Sequence, residues 1–483
     1  GGQGAGAFVE GIAEEFRALW RDLDIAHDFF VRTSASDIHR DLVQDVIRKC
    51  FDRGDIYKAR YEGYYCVECE EYKGKDDMEE GNVCPIHKKA CVVKDEENYF
   101  FRLSHYQSQI QSLFASQPEF LQPASRRNEV QKWIEQGLND FSISRSVASA
   151  SWGIPFPGDE SQTVYVWFDA LLGYISALVP SEGGQLQQSK HGDDSGDGAG
   201  IGPVAGWPAD VHIIGKDILR FHAVYWPAML MSSGLPLPQQ VYGHGFLTRD
   251  GIKMGKSLGN VIEPKQIVEE FGSDAVRYYF LKEVRFGQDG DFELHRFVNI
   301  VNANLANDIG NCLNRTVTLL KKNCDSKVPS NAADIPSEDP IRALVEEQVG
   351  VIANAYDQLD FTAACDGALM VSSECNRYLE ASQPWALFKA KGASSTSDVE
   401  KAGVILVTIL EALRVVAITL APITPRLSAK MYQQMQLEPF EEVTWSDVRW
   451  GKLTKGHQVA KPKPVFARIN PVDDDGGDSV SKA

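Results

Sequence analysis

Residues 243–264 read GHGFLTRDGIKMGKSLGNVIEP and carry the densest chemical signal in this chain of 483 residues. Lys253 and Lys256 stand three residues apart, with glycines before, between and after them. Two ammonium groups on a glycine-rich loop suit a substrate whose negative charge grows during reaction, such as a triphosphate attacked at phosphorus. Taken alone, a KxxKS string more often forms a solvated basic turn, so its interpretation depends on the rest of the chain.

The composition is that of a soluble globular protein with about two to four domains, at 43% hydrophobic and 24% charged residues. A net charge of −18 argues against a broadly basic nucleic-acid binder, although a local basic face remains compatible with it. Nine cysteines are too few for a disulfide scaffold and indicate a reducing compartment. The longest apolar stretch, 402–420, contains Glu411 and Arg414, so it predicts a buried helix and no membrane span.

The order of predicted elements favours an α/β fold followed by a helical bundle. Periodicity predicts a helix over 8–22, a short strand over 28–33, a buried strand over 164–168, a helix from about Asp169 and a strand over 211–214. Alternating strands and helices favour an open parallel sheet, whose ligands lie beyond the carboxyl ends of its strands. From Arg296 onward a continuous apolar stripe predicts an α-helical bundle.

Two pairs of residues have the spacing of metal ligands. Cys66 and Cys69 form a Cys-x-x-Cys pair, and Cys84 and His87 form a Cys-x-x-His pair. Three thiolates and one imidazole suit a closed tetrahedral zinc site with a structural role. The alternatives are four unrelated surface residues or a redox Cys-x-x-Cys pair, and Cys91 is an alternative ligand.

The sequence around KMGKS resembles the KMSKS signature loop of class I aminoacyl-tRNA synthetases, in the version found in the methionyl-tRNA synthetase family. Gly255 stands where that family usually has Ser, and Phe141 stands where some members have Trp. The resemblance covers nearly the whole chain and is carried by these further segments: YYCVECEEYKG, CPIHKK, VYVWFDALLGYIS, HIIGKDILRFHAVYWPAML, ANLANDIGNCLNR and QPWALFK. The chain is identified as a member of this family, of the single-zinc organellar or bacterial type.

The resemblance implies a role for each site residue. ATP would be bound by His244, Lys253, Lys256, Ser257, Gly215 and Asp217, with Lys253 and Lys256 also catalytic. The methionine side chain would be bound by Trp167, Ala170, Tyr174, Ile218, Phe221, His222 and Tyr225. The anticodon would be read by Asn304, Arg315 and Trp385, and zinc would be held by Cys66, Cys69, Cys84 and His87.

Without the resemblance, several of these residues have simpler interpretations. Trp167 and Tyr174 are more often core residues than ligand contacts, and Asp217 suits an N-cap on a helix over 218–226. Asn304 and Arg315 are eleven residues apart, which is three turns of one α-helix, and they suit ordinary surface polarity as well as RNA binding.

The implied fold is a Rossmann-like class I nucleotide-binding sheet with an inserted zinc-knuckle connective domain, followed by an all-α anticodon-binding bundle. The expected segments are the first half of the nucleotide-binding fold (1–38), the connective insertion (39–140), the second half of the nucleotide-binding fold (141–263), a stem-contact element (264–295), the anticodon-binding domain (296–450) and a C-terminal tail (451–483).

The implied reaction joins methionine and ATP into methionyl-adenylate, with Mg²⁺ accompanying ATP, and then transfers the methionyl group to tRNA(Met). Zinc would be structural, and no membrane would be involved. One alternative is another class I synthetase, such as cysteinyl or leucyl, against which Trp167, Tyr174 and His222 argue. The other is a non-catalytic tRNA-binding remnant, against which the intact KMGKS loop argues.

The family carries a HIGH loop early in its sequence, and no HIGH-like string occurs in these 483 residues. We therefore expect the chain as given to be incomplete at the active site and to form methionyl-adenylate poorly by itself, because positioning contributes up to roughly 7–11 kcal/mol. We also expect Phe8, Ile12 and Phe16 to form an unpartnered apolar face. The implied compartment is a mitochondrion or chloroplast, otherwise the cytoplasm, and the oligomeric state stays open.

Overall fold

The structure, a computed structural model, describes residues 5–67, 71–73, 78–85, 88–179, 206–254, 260–389 and 396–470. The chain divides into two compact units, each with its own hydrophobic core. The sheet unit is His27–His244, and the helical unit is Gly1–Ala26 together with Gly245–Ala483.

In chain order, helix α1 (Ala5–Asp22) comes first and belongs to the helical unit. The sheet unit then contains α2 (Asp37–Asp52), β1 (Ile56–Cys66), β2 (Glu71–Lys73), β3 (Val92–Phe101), α3 (Gln107–Ser116), β4 (Leu121–Gln122), α4 (Ala124–Glu135), β5 (Phe141–Ser142), β6 (Ser144–Ser146), β7 (Pro155–Phe156), β8 (Asp159–Val164), α5 (Val166–Leu171), α6 (Gly173–Ser176), β9 (Val211–Gly215), α7 (Trp226–Ser233) and β10 (Gln240–His244). The helical unit continues with β11 (Leu247–Arg249), β12 (Ile252–Lys253), α8 (Pro264–Phe271), α9 (Ser273–Glu283), β13 (Gly290–Phe292), α10 (Leu294–Val301), α11 (Asn311–Asn323), α12 (Pro340–Asp357), α13 (Phe361–Ser382), α14 (Pro384–Lys389), α15 (Thr396–Leu420) and α16 (Pro425–Met435). Two π-helices, Phe221–Tyr225 and Asn302–Gly310, lie directly before α7 and α11.

The sheet unit holds the parallel sheet that the sequence predicts. Strand β10 lies between β4 and β9 and pairs with both in parallel. In the β9–β10 register His244 lies opposite Gly215, so both strands end at the same edge. Antiparallel sheets in the order β2-β1-β3-β5 and β6-β8-β7 complete the unit.

The predicted buried helix is α15 of the helical unit. Ser397–Leu420 is long and apolar enough to cross a membrane, but 94% of its most apolar window is buried inside the protein. It packs against α11, α12, α13, α14 and α16, so its apolar surface is used within the bundle. The interpretation of 402–420 as a core helix is confirmed.

The predicted strand over 28–33 is wrong. No described strand pairs with this segment, and Phe29 and Val31 are 60% and 41% exposed. A strand needs a neighbour for its backbone N–H and C=O groups, and local sequence does not reveal whether one is present. These residues instead run without regular structure into a short 3₁₀ helix at Thr33–Ala35.

The predicted strand over 164–168 is also wrong beyond its first residue. Strand β8 ends at Val164 and α5 begins at Val166, three residues before the predicted helix start. A short apolar run is compatible with either a buried strand or a buried helix, and its periodicity does not distinguish between the two. Phe168 and Leu171 are buried at helical spacing, which is the pattern that the structure adopts.

The N-terminal helix was placed correctly by its periodicity, and its apolar face is exposed as expected. Phe8, Ile12 and Phe16 are 61%, 38% and 52% exposed, while α1 contacts α8. Compactness groups residues 1–26 and 245–263 with the helical unit. The six-segment division of the chain stays a prediction.

A buried ion pair within α15 anchors the C-terminal part of the bundle. Glu411 accepts the Nη2–H of Arg414 at 2.8 Å and the backbone N–H groups of Gly451, Lys452 and Leu453 at 2.9–3.1 Å. Arg414 also donates to the carbonyl of Asp447 at 2.6 Å. Both side chains are essentially fully buried, so every charged atom depends on these partners.

We predict that Glu411→Ala destabilises the helical unit by about 3–5 kcal/mol, because it leaves a buried guanidinium uncompensated and three N–H groups without an acceptor. Urea unfolding followed by circular dichroism measures this. The matched control is Glu346→Ala, which removes an exposed i,i+4 pair with Arg342 and should change the free energy of unfolding by only about 0.5 kcal/mol. Equal effects from the two variants would contradict the prediction.

Candidate active site

The carboxyl edge of the parallel sheet brings together Gly215, Asp217 and His244. A Cβ at Gly215 would lie 2.5 Å from Oδ1 of Asp217 and 3.9 Å from Cε1 of His244, so only glycine fits there without displacement. Asp217 is exposed and lies inside the short 3₁₀ helix Lys216–Ile218, whose N-cap position is Gly215, so the structure does not support its interpretation as an N-cap. Its carboxylate lies at the edge where open parallel sheets bind ligands.

The segment after Asp217 is not the single α-helix that the sequence predicts. Phe221–Tyr225 is a π-helix between a 3₁₀ turn and α7. A π-helical turn contains an extra residue, and such bulges occur frequently at functional sites. All five residues of this π-helix are buried.

Aromatic rings from three elements, α5, β5 and the π-helix Phe221–Tyr225, form one wall in the sheet unit. The ring of Trp167 stacks on Phe221 with centroids 4.2 Å apart and planes 12° apart. Tyr225 stacks on Phe141 at 4.2 Å and meets Phe221 edge-on at 5.2 Å. Ile218 is half-buried against the same core, and Ala170 is half-buried on α5. The structure therefore brings Trp167, Phe221 and Tyr225 together and adds Phe141 to them.

Tyr174 and His222 form a hydrogen-bonded pair beside this wall. The Tyr174 hydroxyl lies 2.8 Å from Nε2 of His222, and Nδ1 of His222 lies 3.0 Å from the carbonyl of Ile218. A carbonyl only accepts, so Nδ1 carries the proton, and Nε2 accepts from the Tyr174 hydroxyl. Burial lowers the pKa of His222 to about 4, against a weaker raising effect of the Ile218 carbonyl, and burial raises the pKa of Tyr174 to about 12.

His212 belongs to the same cluster and was missed from the sequence. Its ring lies 4.2 Å from that of Tyr174, and its Nε2 accepts the indole N–H of Trp226 at 3.3 Å. Burial, and secondarily His222, lowers the pKa of His212 to about 4. The sequence could have indicated His212, because it stands at an inward-facing position of β9, which was predicted as a strand. The whole cluster is uncharged at neutral pH.

The helical unit carries the lysine-bearing stretch on a hairpin. Strands β11 and β12 pair antiparallel, with Thr248 opposite Lys253. Between them Asp250 and Gly251 have φ values of +52° and +74°, the pattern of a type I′ turn. The backbone of Lys253 lies in β12, whereas its side chain, Lys256 and Ser257 lie outside the described residues.

Two of the four predicted zinc ligands are described. Cys66, at the end of β1, and Cys84 are both buried. Cys84 begins a tight turn in which its N–H donates to the carbonyl of Lys89 and its carbonyl accepts from Lys88, both at 2.8 Å. Cys69 and His87 lie outside the described residues, and within the described ranges no group of three potential metal ligands occurs.

The predicted RNA-reading residues separate into two environments. Arg315 of α11 forms an ion pair with Glu380 at 2.5 Å, and its guanidinium carbon lies 6.0 Å from the ring centroid of Trp385. Asn304 donates instead to the hydroxyl of Tyr278 at 3.0 Å. Because residues 302–310 are π-helical, the eleven-residue spacing is not three α-helical turns.

Asn311 was missed from the sequence, although it stands four residues before Arg315. Residues i and i+4 of one α-helix share a face. Both belong to α11, and Asn311 is exposed. The spacing Asn-x-x-x-Arg could have indicated that the two side chains share a helix face. That conclusion requires knowing that α11 begins at Asn311.

Comparisons with known proteins agree with the resemblance. A model of the class I tRNA synthetases, described as "tRNA synthetases class I (M)", matches residues 2–85 and 75–317, and one of the "Anticodon binding domain of methionyl tRNA ligase" matches residues 328–478. The chain is 50% identical over 460 residues to the chloroplastic/mitochondrial methionine–tRNA ligase of Arabidopsis thaliana, covering 95% of this chain and 72% of that protein. It is 46% identical over 468 residues to the methionine–tRNA ligase of a Synechocystis strain, covering 94% and 84%.

Among solved structures, Mycobacterium tuberculosis methionyl-tRNA synthetase in complex with methionyl-adenylate matches with a TM-score of 0.86 at 31% identity. The match covers 97% of this chain and 88% of that one.

We predict that the histidine cluster makes stability depend on pH between about 6.5 and 4. In the unfolded chain His212 and His222 bind protons from about pH 6.5 downward, whereas in the folded chain they do so only near pH 4. Their contribution is therefore complete above pH 6.5 and is lost as the pH falls toward 4, by up to about 3 kcal/mol per residue.

The denaturant midpoint measured from about pH 7 to about pH 4 tests this. His222→Gln should flatten the dependence, whereas His27→Asn, at an exposed position, should leave it unchanged. A midpoint with the same pH dependence in wild type and His222→Gln would contradict the prediction.

Proposed function

The chain belongs to the methionyl-tRNA synthetase family of class I aminoacyl-tRNA synthetases, and on that premise we propose that it activates methionine with ATP and transfers the methionyl group to tRNA(Met). The uncharged aromatic cluster of Trp167, Tyr174, Phe221 and His222 is the observation that carries the proposal, and its last two members follow Asp217 of the sheet edge by four and five residues. The alternatives of a cysteinyl or leucyl enzyme gain no support, because relatives at 37% to 50% identity are methionine–tRNA ligases.

The cluster suits the side chain of methionine. An unbranched thioether packs well against aromatic rings, and its sulfur is a weak acceptor. The Tyr174 hydroxyl donates a hydrogen bond to Nε2 of His222, and burial keeps both groups neutral, so the pair presents an uncharged wall to an apolar side chain. We assign the side-chain contacts to Trp167, Ala170, Tyr174, Ile218, Phe221, His222 and Tyr225.

ATP is assigned to the edge residues and the lysine-bearing hairpin. Asp217 is an acceptor for ribose hydroxyls, and Gly215 and His244 lie beside it. Lys253 and Lys256 supply positive charge where the triphosphate becomes more negative, with Ser257 as a further donor. Mg²⁺ accompanies ATP. The residues of this chain thus bind, orient and stabilise charge, and no described side chain needs to act as a general base.

Anticodon reading is assigned to the face of α11 that carries Arg315, together with Trp385. The Arg315 guanidinium lies near the Trp385 ring, so a base stacked on the ring would lie within reach of a donor. Asn304 stays assigned to base reading through its amide oxygen, since its Nδ2 donates to Tyr278, and Asn311, which shares the face of Arg315, is a further amide that we expect to read a base.

Zinc is assigned to Cys66, Cys69, Cys84 and His87. The two buried thiols and the tight turn beginning at Cys84 suit a closed structural site. When bound, the ion would hold the turn to the end of β1 and take no part in the reaction.

The compartment we propose is a plastid or mitochondrion. The Arabidopsis relative, at 50% identity, is named for those compartments, whereas the cyanobacterial relatives carry no such name.

The proposed activity is tested by amino-acid-dependent exchange of pyrophosphate into ATP by the full-length enzyme. Methionine should support exchange, and cysteine and leucine should not. Exchange with leucine or cysteine at a comparable rate would overturn the assignment of substrate.

We predict that Trp385→Ala lowers kcat/KM for tRNA(Met) by roughly 5- to 150-fold, because one stacked base loses about 1–3 kcal/mol. Methionine-dependent pyrophosphate exchange should stay unchanged, because activation precedes tRNA binding. The control is Trp445→Ala, which truncates a tryptophan that is 40% exposed in the same unit and is not assigned to RNA binding. An equal loss in both assays would show that Trp385 only supports the fold.

We predict about one zinc ion per chain, and we expect Cys84→Ser to lose most of it because a hydroxyl binds zinc far more weakly than a thiolate. Inductively coupled plasma mass spectrometry of the purified protein measures the content. Cys91→Ser tests the alternative ligand, and Cys324→Ser is the control. A wild-type protein without zinc, or a Cys84→Ser variant that keeps the full zinc content, would contradict the assignment of these four residues to zinc.

A further inference from the structure

Asp291, on the short strand β13, holds the hairpin that carries Lys253. Strand β13 pairs in parallel with β11, and Thr248 lies opposite Asp291. Oδ1 of Asp291 accepts the Thr248 hydroxyl at 2.6 Å and the Gly251 N–H at 2.9 Å. One carboxylate oxygen thus binds both the first strand of the hairpin and its turn.

The charge on Asp291 strengthens these bonds. The Thr248 hydroxyl and then the Gly251 N–H lower the pKa of Asp291, so the group is ionised at neutral pH. Hydrogen bonds to an ionised acceptor are roughly twice as strong as neutral ones. The neighbouring Asp289 accepts from the N–H of Phe246, which precedes the hairpin.

The geometry of the hairpin transmits this contact to Lys253. A two-residue turn leaves the second strand no freedom of register relative to the first. Thr248, which Asp291 holds by its hydroxyl, is also the residue that pairs with Lys253. Gly251, which Asp291 holds by its N–H, lies two residues before Lys253 in the chain.

We propose that Asp291 is a positioning residue for methionine activation, acting by holding the β11–β12 hairpin in the orientation that presents Lys253 to the phosphates of ATP. This inference rests on the proposed function. Asp291 is not assigned a contact with substrate, and its effect passes through the lysine. A misplacement of about 1 Å at a reacting group is enough to lower a rate about a hundredfold.

The test separates positioning from a general loss of fold. Asp291→Ala removes both bonds, and we expect it to lower kcat for methionine-dependent pyrophosphate exchange about a hundredfold and to raise KM for ATP. KM for methionine should stay unchanged, because methionine is assigned to the sheet unit. Asp291→Asn should keep most of the activity, since an amide oxygen at the position of Oδ1 accepts the same two hydrogens.

A double-mutant cycle with Lys253→Ala is the decisive measurement. Lys253→Ala alone should lower kcat about 10²–10³-fold. If Asp291 acts through Lys253, the double variant Asp291→Ala/Lys253→Ala should be no slower than Lys253→Ala alone. Multiplicative losses in the double variant would overturn the proposal.

Two further variants guard against misfolding and nonspecific charge effects. Thr248→Val removes one of the two bonds with little change of shape and should give a smaller loss that is also absent in the Lys253→Ala background. Glu293→Gln removes the charge of an exposed residue two positions from Asp291. This variant should leave the kinetics unchanged. Normal kinetics in Asp291→Ala would overturn the inference alone, whereas absence of methionine-dependent exchange in the wild-type enzyme would overturn the proposed function and this inference with it.

Discussion

The absence of a side chain at two positions controls how the chain leaves its parallel sheet. A Cβ at Gly243 would lie 2.6 Å from Cδ2 of Leu219, and one at Gly245 would lie 2.2 Å from the carbonyl oxygen of Gln288. A larger residue at Gly243 would force the buried Leu219 side chain to move, and one at Gly245 would collide with backbone, which cannot rotate away. His244 is thereby held at the end of β10, while Phe246 begins the segment that leads to Lys253. The two glycines that flank His244 in the stretch at 243–264 are therefore required by packing.

Burial sets the chemistry of the pocket as much as residue identity does. Two imidazoles and a phenol beside a catalytic site would ordinarily suggest proton transfer. Here desolvation keeps His212 and His222 neutral and Tyr174 protonated across the physiological range. The carbonyl of Ile218 then selects the tautomer of His222, which makes its Nε2 an acceptor for Tyr174. These three polar side chains form an uncharged surface, as a pocket for an apolar amino acid requires.

Much of the fold was predictable because it follows from local periodicity. The helix over 8–22, the strand over 211–214 and the buried helix over 402–420 each bury a regular face, and all were found within a few residues of their predicted ends. The strand over 28–33 failed because a strand depends on a partner elsewhere in the chain. The failure at 164–168 arose because a short apolar run suits a strand or a helix equally well.

The site was predictable in its residue types but less so in its arrangement. Motif resemblance named Trp167, Phe221 and Tyr225, which the structure brings together. It did not name His212, which joins the cluster only by packing against Tyr174 and Trp226, or Asp291, whose bonds to Thr248 and Gly251 depend on the pairing of β11 with β13. The two π-helices also have no signature in apolar spacing, and the second one changes which side chains share a face with Arg315. Tertiary contacts, and not propensity, decide these features.

We propose that the neutral aromatic cluster and the sheet edge at Asp217 are two parts of one site in the sheet unit. A crystal structure of the full-length enzyme with a non-hydrolysable analogue of methionyl-adenylate tests it most directly. We expect the thioether against Trp167, Tyr174 and His222, and the ribose hydroxyls at the carboxylate of Asp217. An analogue whose side chain lies away from the cluster, or whose ribose makes no contact with Asp217, would contradict this account.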